Sequence, residues 1–518
     1  MTKLTFHLGD PGLTLLHRAG LAGLWMTLKQ LKQEISLDQR PGSLNWELTP
    51  REIKLSWQGK DFEVIDWLLR ESFQLNDGLI SLRGLDSNSM RKDSQVIVHQ
   101  GILGTFLQHG KTRKASGDQT QALLLEEDKP PIIVRYKALE SYTHQGFAKD
   151  LCDKKGELLK KSINIAGWLN PGAAVRHTAF TSDTGFEESP QLAFALLYAP
   201  VACYYYILRS RLRDQRAQYA LVIPEITNME TYAKYRQDPH LRHASYQDFH
   251  ATGLGDAGLR FLTYQNVADA AQTFQVSRCQ ILTLGTVAWS SQQKSRTDLF
   301  TVEANYRACK NYQICRNELS DRVIARAKQE EGSFVATSFA REMISENLAR
   351  DHPWYTGLGS WINSNERFKQ LSYERGGLYQ MVIRTEMDPR ERWFVEACHE
   401  AIRYTYGRLS AQTKNRGEVA NFDRETTRIR TGLGRCKNAG SFREFITDFW
   451  SRAGRIPTLQ EHWSELMDLV LDEKQWKKAR DLALLALASY KGKEKEGDPD
   501  EVDGELADED LVVIPDLD

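Results

Sequence analysis

Lys111, Arg113 and Lys114 crowd into four positions of HGKTRKASGDQ (His109–Gln119), and Gln292, Gln293, Lys294 and Arg296 into five positions of SSQQKSRT (Ser290–Thr297). Neither stretch has an apolar period, so each reads as a loop, and a solvated loop is the plain reading of both. The sharper reading is contact with a polyanion. Ammonium and guanidinium groups anchor phosphates without reading sequence, whereas glutamine amides can read base edges. The densest positive stretch is 403–437. Arg403, Arg408, Lys414, Arg416, Arg424, Arg428, Arg430, Arg435 and Lys437 stand there against Glu418, Asp423 and Glu425. Tyr404 and Tyr406 add rings on which unpaired bases could stack, although aromatics at helical spacing more often serve a core.

Catalytic patterns are scarce. The chain has no HExxH, no GxxxxGK[ST], no GxSxG and no paired His-Asp nuclease motif. Gly253-x-Gly255-x-x-Gly258 is formally GxGxxG, but it follows His250-Ala251-Thr252 rather than a clear strand, and no ribose-binding acid follows about twenty residues on. Cys309-x5-Cys315 is a poor zinc signature. Asp10 and His17 could meet at a helix start, where a turn acid is the commoner role. These absences favour a binding protein over an enzyme, with no metal and no cofactor expected.

The elements that must carry these residues start with Leu13–Leu28, LTLLHRAGLAGLWMTL, a helix apolar on most sides. Each Gly inside it costs about 1 kcal/mol against Ala. Close backbone contact would offset that cost, so the helix belongs in the core, with His17-Arg18 as its polar face. Leu4, Phe6 and Leu8 alternate as a strand. Residues 44–48 and 53–57 form a hairpin, Phe62–Phe73 is an amphipathic helix, and Gly101–Leu107 ends another. PIIVRY (131–136), QYALVI (218–223), RCQILTLGTVAW (278–289) and 298–303 read as strands, and Asp256–Phe274 as a helix. Gly167–Gly172 is a turn, and Leu192–Leu208 is a buried apolar run too short and too interrupted to cross a membrane. After Gly376-Gly377 strand signals stop. Helices are predicted at 391–413, 441–453, 458–472 and 474–490, with Gly432, Gly434, Gly440, Gly454 and Pro457 in the connections.

The fold class is therefore α+β: a mixed α/β N-terminal body (1–375) followed by a C-terminal α-helical bundle (381–492) and a disordered acidic tail (493–518). The 518 residues, 41% hydrophobic and 26% charged, suit a soluble globular chain of two or three domains. The net charge of −1 hides an asymmetry. From Lys493 two lysines face twelve acids, so the tail carries −10 and the rest +9. That excess is compatible with nucleic acid. Seven scattered cysteines without a CxxC pair and no signal peptide fit reduced thiols in the cytoplasm.

Leu16–Leu28, LHRAGLAGLWMTL, resembles the large-subunit family of type I CRISPR effector (Cascade) complexes, in the MYXAN subtype of the type I-B group. Chain length and the late change to a basic helical part agree with that family. The resemblance implies a non-catalytic subunit of an RNA-guided DNA surveillance complex. Its body would contact the 5′ region of the guide RNA and the neighbouring subunits, recognise the PAM and help R-loop formation. Its bundle would resemble a small subunit and support the displaced strand. Guide pairing would read the target while protein reads the PAM and backbone. The implied partners are guide RNA, target DNA, backbone, 5′-end cap and small subunits and, in transposon-linked systems, transposition proteins, with no membrane. On this reading 290–297 is assigned to PAM-side duplex and 109–119 to guide or target backbone. The competing class is a regulatory or assembly protein that binds a protein partner instead. Family precedent also suggests a separate bundle translated from Met381, since Glu374-Arg375-Gly376-Gly377 can be encoded by a purine run three codons upstream.

Overall fold

The computed structural model describes residues 1–86, 89–171, 186–208, 218–238, 244–265, 276–289, 292–326, 332–417 and 419–492. The acidic tail from Lys493 and residues 266–274 of the expected long helix lie outside them. The chain divides into two units. Met1–Ala304 with Asp321–Thr337 forms the first, and Asn305–Ser320 with the chain from Ser338 forms the second. Residues 305–320 and 338–375, read from sequence as part of the body, thus group with the helical part.

Helix α1 (Leu15–Glu34) is the buried axis of the first unit, and Leu16–Leu28 is buried except at Arg18. Thr14 caps it through a reciprocal arrangement with His17. A Cβ on Gly20 would lie 2.2 Å from the carbonyl oxygen of Ala195, and one on Gly23 2.0 Å from that of Tyr198. Helices α1, α5 (Pro190–Leu196) and α6 (Ala199–Ala202) therefore meet backbone to backbone, which answers the helix cost of the two glycines. The expected polar face is half right. Arg18 is half-buried and lies 3.8 Å from Glu225. His17 is fully buried, with Nδ1 2.8 Å from Thr14 Oγ1 and Nε2 3.3 Å from Glu188. Burial lowers its pKa against the opposing pull of Glu188. Asp10 does not meet His17; its carboxylate accepts from the backbone N–H of His7.

Among the described residues the first unit holds sheets of three, five and four strands and two two-stranded ribbons. Strands β1 (Thr2–His7), β2 (Asn45–Leu48) and β3 (Glu52–Trp57) form an antiparallel sheet in the order β1-β3-β2. Trp25 Nε1 donates to the Thr49 carbonyl at 3.0 Å and pins α1 to the β2–β3 turn. Helix α2 (Asp61–Ser72), the hairpin β4 (Phe73–Asn76) and β5 (Leu79–Leu82), and α3 (Lys92–Gly104) follow. Strands β6 (Arg113–Leu123) and β7 (Ile132–Tyr142) then lead to α4 (Ala148–Leu151) and a small ribbon, β8 (Ile163–Ile165) with β9 (Phe186–Glu188). The apolar run 192–208 is buried from Ala193 onward and continues from α5 and α6 into β10 (Tyr204–Leu208). Among the described residues no helix is long and apolar enough to cross a membrane.

Strands β10, β11 (Gln218–Pro224), β12 (His250–Ala251), β13 (Arg278–Trp289) and β14 (Gln292–Glu303) make the largest sheet, in the order β12-β10-β11-β13-β14. Helix α7 (Met229–Arg236) packs on α1, and α8 (Leu254–Gln265) covers β13 and β14. The formal GxGxxG spans the start of α8 and serves packing. A Cβ on Gly258 would lie 2.6 Å from Val302 and 2.8 Å from Ile281, and Asp256 already accepts from Thr252 N–H and Oγ1 at the helix start. Strands β15 (Arg322–Ala325) and β16 (Ser333–Ala336) extend β7 and β6 into the order β15-β16-β7-β6.

The second unit is helical throughout its described residues: α9 (Tyr306–Glu318), α10 (Phe339–Ala349), α11 (Leu358–Trp361), α12 (Asn365–Ser372), α13 (Arg375–Arg384), α14 (Pro389–Asn415), α15 (Phe422–Arg435), α16 (Ala439–Ala453), α17 (Pro457–Glu461), α18 (Trp463–Leu471) and α19 (Trp476–Ser489). Helix α19 is its axis. Asp481 to Ser489 are all buried, and α11–α16 and α18 surround it. Asp481 accepts from the backbone N–H groups of Gly357 and Gly359, both at 2.9 Å. The expected helix 458–472 is two, α17 and α18. Gly432 and Gly434 lie inside α15, where Gly432 makes room for the Phe445 ring. Met381 is fully buried on α13, and Gly377 meets the Glu318 carbonyl. A product begun at Met381 would lack α9–α12 and uncover part of α19.

Two substitutions separate contact from propensity. Gly23→Ala should lower stability by about 1–3 kcal/mol or more in denaturant unfolding, because the methyl meets backbone. Gly407→Ala, on α14 with nothing within 4 Å of the new methyl, should raise it by about 0.5–1 kcal/mol. Equal effects would remove the backbone-approach account of α1.

His144 is buried among the rings of Phe73, Tyr142 and Trp168, with no hydrogen-bond partner for either nitrogen among the described residues. Burial pushes its pKa down to about 3 from 6.5. The unfolded chain therefore binds a proton that the folded chain refuses, and stability falls as pH drops below 6.5 toward 3, by about 1.4 kcal/mol per pH unit for this group. His144→Phe should flatten that acid limb in urea titrations at pH 7, 5 and 4. An unchanged slope would place the acid sensitivity elsewhere.

Candidate nucleic-acid interface

Helix α15 was the element hidden in the basic stretch. Asn421 caps it, its side chain accepting from Arg424 N–H at 2.9 Å. Ile429 and Leu433 are its buried residues. Arg424, Arg428, Thr431 and Arg435 fall at i, i+4, i+7 and i+11, a single stripe along the helix. The three arginines are exposed. Arg428 forms a bidentate pair with Glu425 at 2.6 and 2.9 Å, which spends part of its charge. Arg424 and Arg435 have no ion-pair partner among the described residues.

Helix α14 meets the start of α15 through Tyr406. The Tyr406 ring packs on Phe422 and Tyr490, and its hydroxyl bonds Thr426. Tyr406 is therefore a packing residue, whereas Tyr404 is 37% exposed beneath the Arg403 guanidinium, 5.1 Å from the ring centroid. Arg403, Arg408, Lys414 and Arg416 are exposed on α14 and its C-terminus. Arg408 also donates to the Arg452 carbonyl. Arg430 leaves the cationic stripe. It donates to Asn365 and covers Phe368, so it works in the fold of the second unit. The structure thus places Arg403, Arg408 and Arg416 on α14 and its C-terminus and Arg424, Arg428 and Arg435 on α15, two helices linked at Tyr406, with the exposed rings of Tyr404 and Phe422 among them.

The two expected loops are mostly strand. Gly110–Thr112 is a single 3-10 turn, and Arg113 to Gln119 belong to β6, paired with β7. Lys114–Thr120 are exposed on both sides of the pleat. Their sequence therefore carries no apolar alternation, and only the pairing with β7 reveals the strand. Arg113 is half-buried and donates to the carbonyls of Leu107 and Leu103, closing the C-terminal end of α3. Lys114 pairs with Glu140, and Lys111 is exposed. Of these three, Lys111 alone is left wholly to solvent.

In 290–297 the strand starts at Gln292, not at 298. Gln292 pairs with Trp289, Gln293 with Ala288, Lys294 with Val287 and Arg296 with Gly285. Ser290 and Ser291 lie outside the described residues. These four site candidates thus sit at the outer end of a hairpin of two twelve-residue strands rather than in a loop.

Among the described residues no three His, Cys, Asp or Glu side chains are grouped to hold a metal ion. All seven cysteines are buried thiols, and burial raises the Cys309 thiol to about 11. A cavity of about 60 Å³ in the second unit is lined by Arg307, Asn311, His352, Trp354, Tyr355 and Glu391, among others. Its buried carboxylate, Glu391, is already engaged by the Tyr355 hydroxyl and by Lys478 Nζ at 2.6 Å.

A mixed body followed by a cationic helical unit is what the geometry defines, and both parts have counterparts. Residues 5–197 match the DevT N-terminal domain and residues 384–513 the DevT C-terminal domain. The chain is also similar to the CRISPR-associated protein Cas8a1/Csx13 of Myxococcus xanthus (strain DK1622), at 29% identity over 95% of this chain and 89% of that protein.

Arg113 and Lys111 can be told apart without any ligand. Arg113→Ala should destabilise the first unit by about 1–3 kcal/mol, because it strands buried carbonyls at the end of α3. Lys111→Ala should stay within about 0.5 kcal/mol of the parent. Matching thermal unfolding curves would free Arg113 from its structural role.

Proposed function

We propose that this protein is the large subunit of a type I CRISPR RNA-guided DNA surveillance complex, of the MYXAN subtype. The observation that carries the reading is the end-to-end likeness to a CRISPR-associated protein. Two adjacent helices rich in unpaired, exposed arginines support it. The first unit contacts the 5′ region of the guide RNA and neighbouring subunits, recognises the PAM and helps open the duplex. The arginines of α14 and α15 hold the displaced strand by its phosphates, with Tyr404 available to stack. The protein is non-catalytic and works in the cytoplasm. Its partners are guide RNA, target DNA, and the backbone, 5′-end cap and small subunits. In a transposon-linked system transposition proteins join them. The hairpin end around Gln292–Arg296 faces PAM-side duplex, and Lys111 serves the guide or target backbone.

The test is purification of the full chain from cells that co-express the genes encoded beside it. A guide-length RNA and stoichiometric partner subunits are expected, with no cleavage of single- or double-stranded DNA in Mg²⁺ or Mn²⁺. Neither RNA nor subunits in the eluate would overturn the reading. Within such a complex, Arg424→Ala with Arg435→Ala should weaken target binding equally for all sequences. It should also lower the slope of log affinity against log salt by about 1.4, as expected for two single-strand phosphate contacts. A changed sequence preference with an unchanged slope would contradict backbone contact.

A further inference from the structure

Helix α18 has two unlike sides. Leu466, Leu469 and Val470 are buried and hold it to the bundle. Trp463, Met467 and Leu471 recur at i, i+4 and i+8, and at about 100° per residue they form one stripe on a different face. Trp463 is 54% exposed and Leu471 57% exposed, while Met467 is half-buried between them. Three large apolar side chains in register are not the scattered exposed residues of an ordinary surface.

The charge around this stripe is equally unusual for its unit. Glu465 and Asp468 border it on the helix, and Glu461, Asp472 and Glu473 flank the helix ends. No Lys or Arg occurs from Pro457 to Glu473. Of these acids Glu473 is partly answered by Arg443 at 3.9 Å, and Arg390 and Lys474 act on Asp468 and Asp472 from beside the stripe. The same unit carries nine cations against three acids in 403–437. A nucleic acid drawn to α14 and α15 is repelled from α18. The chain's own terminal segment, with twelve acids after Lys493, is repelled as well. An occupant must cover a Trp-Met-Leu stripe and bring positive charge to its acidic border.

We infer that α18 is a protein-docking helix, and that its occupant is another protein subunit presenting an apolar groove rimmed by Lys or Arg. The mode is a helix face laid into a groove, anchored at i, i+4 and i+8, with Trp463 as the dominant anchor. The acidic border sets orientation and the rate of encounter. The inference rests on the proposed membership of a multi-subunit complex, and adds the surface and the chemistry of one of its joints.

The test uses the full chain co-expressed with the neighbouring subunits, comparing wild type with Trp463→Ser/Leu471→Ser and with Glu465→Lys/Asp468→Lys. Subunit stoichiometry is read by quantitative mass spectrometry of the purified complex, and guide RNA content in the same sample. Both variants should lose one protein subunit at least tenfold and keep guide RNA. The charge-reversal variant should lose it more severely at low salt than at high salt. A photo-crosslinking residue placed at Met467 should join that same subunit through a peptide containing Lys or Arg. If wild type co-purifies with the subunits and both variants retain all of them at parent levels, the inference is overturned. If instead wild type self-associates in sedimentation and the Trp463→Ser/Leu471→Ser variant is monomeric, the occupant is a second copy and the inference is again wrong. Absence of all subunits and RNA from the wild-type eluate would sink the proposed function itself. Circular dichroism and thermal unfolding should show both variants folded. Should the serine pair unfold, the charge-reversal pair, which replaces only exposed carboxylates, decides.

Discussion

The first unit depends on an approach of backbone to backbone. Helix α1 can sit at its centre only because Gly20 and Gly23 let the carbonyls of Ala195 and Tyr198 come within about 2 Å of where a methyl would be. Everything local follows from that closeness. The chain between Ser189 and Cys203 forms two short helices rather than one long one, with Tyr198 between them and Pro200 in the first turn of the second. Tyr198 is then buried against Phe73 and Phe194. Its hydroxyl lies 3.2 Å from Ser72. Strand β10 leaves directly from this crossing into the largest sheet. Dispersion at such contacts is individually small, but an interior packed this closely has no slack to absorb an added methyl.

The legible parts of the chain were those where burial is one-sided. β1, the β2–β3 hairpin, α2, β11, α14, α16 and α19 all show a period in sequence because one face or all faces meet a core. The illegible parts fail for opposite reasons. Strand β6 is exposed on both sides from Lys114 to Thr120, so it has no alternation to read. Helix α15 buries only Ile429 and Leu433, and its Thr-Gly-Leu-Gly segment looks like a connection until Phe445 is seen over Gly432. His17 misled in a third way. A His-Arg pair on a helix suggests solvent, yet the imidazole completes the cap at Thr14 and faces Glu188, a partner 171 positions away that no local pattern announces.

The same distinction separates the cations that hold the fold from those left for a ligand. Counting Lys and Arg found a basic stretch, but geometry divides it. Arg113 and Arg430 spend their donors on carbonyl and amide oxygens inside their own units, and Arg428 is tied to Glu425. Arg424, Arg435, Arg403 and Arg416 remain outward. An arginine already bonded to the fold must break those bonds before it can serve a phosphate, and that cost subtracts from any affinity gained. The useful cations are therefore fewer than composition suggests, and they lie on one pair of helices joined by Tyr406.

In the second unit α15 and α18 differ in the sign of their excess charge, whereas α14 and α16 mix both signs. Salt-bridged surfaces usually intersperse the two signs, because neighbouring opposites cost nothing in solubility and suppress long-range fields. Here Arg424, Arg428 and Arg435 share α15, while Glu465 and Asp468 share α18 with no base between Pro457 and Glu473. Segregation of this kind raises self-repulsion within each patch, a cost that folding does not require. It creates instead two fields of opposite sign on one small helical scaffold whose axis, α19, is rigidly buried. Because α15 and α18 both pack on α19, the two surfaces are held by the same helix. On the proposed reading α15 offers its arginines to phosphate and α18 its apolar stripe to protein, and the shared contact with α19 fixes each relative to the other.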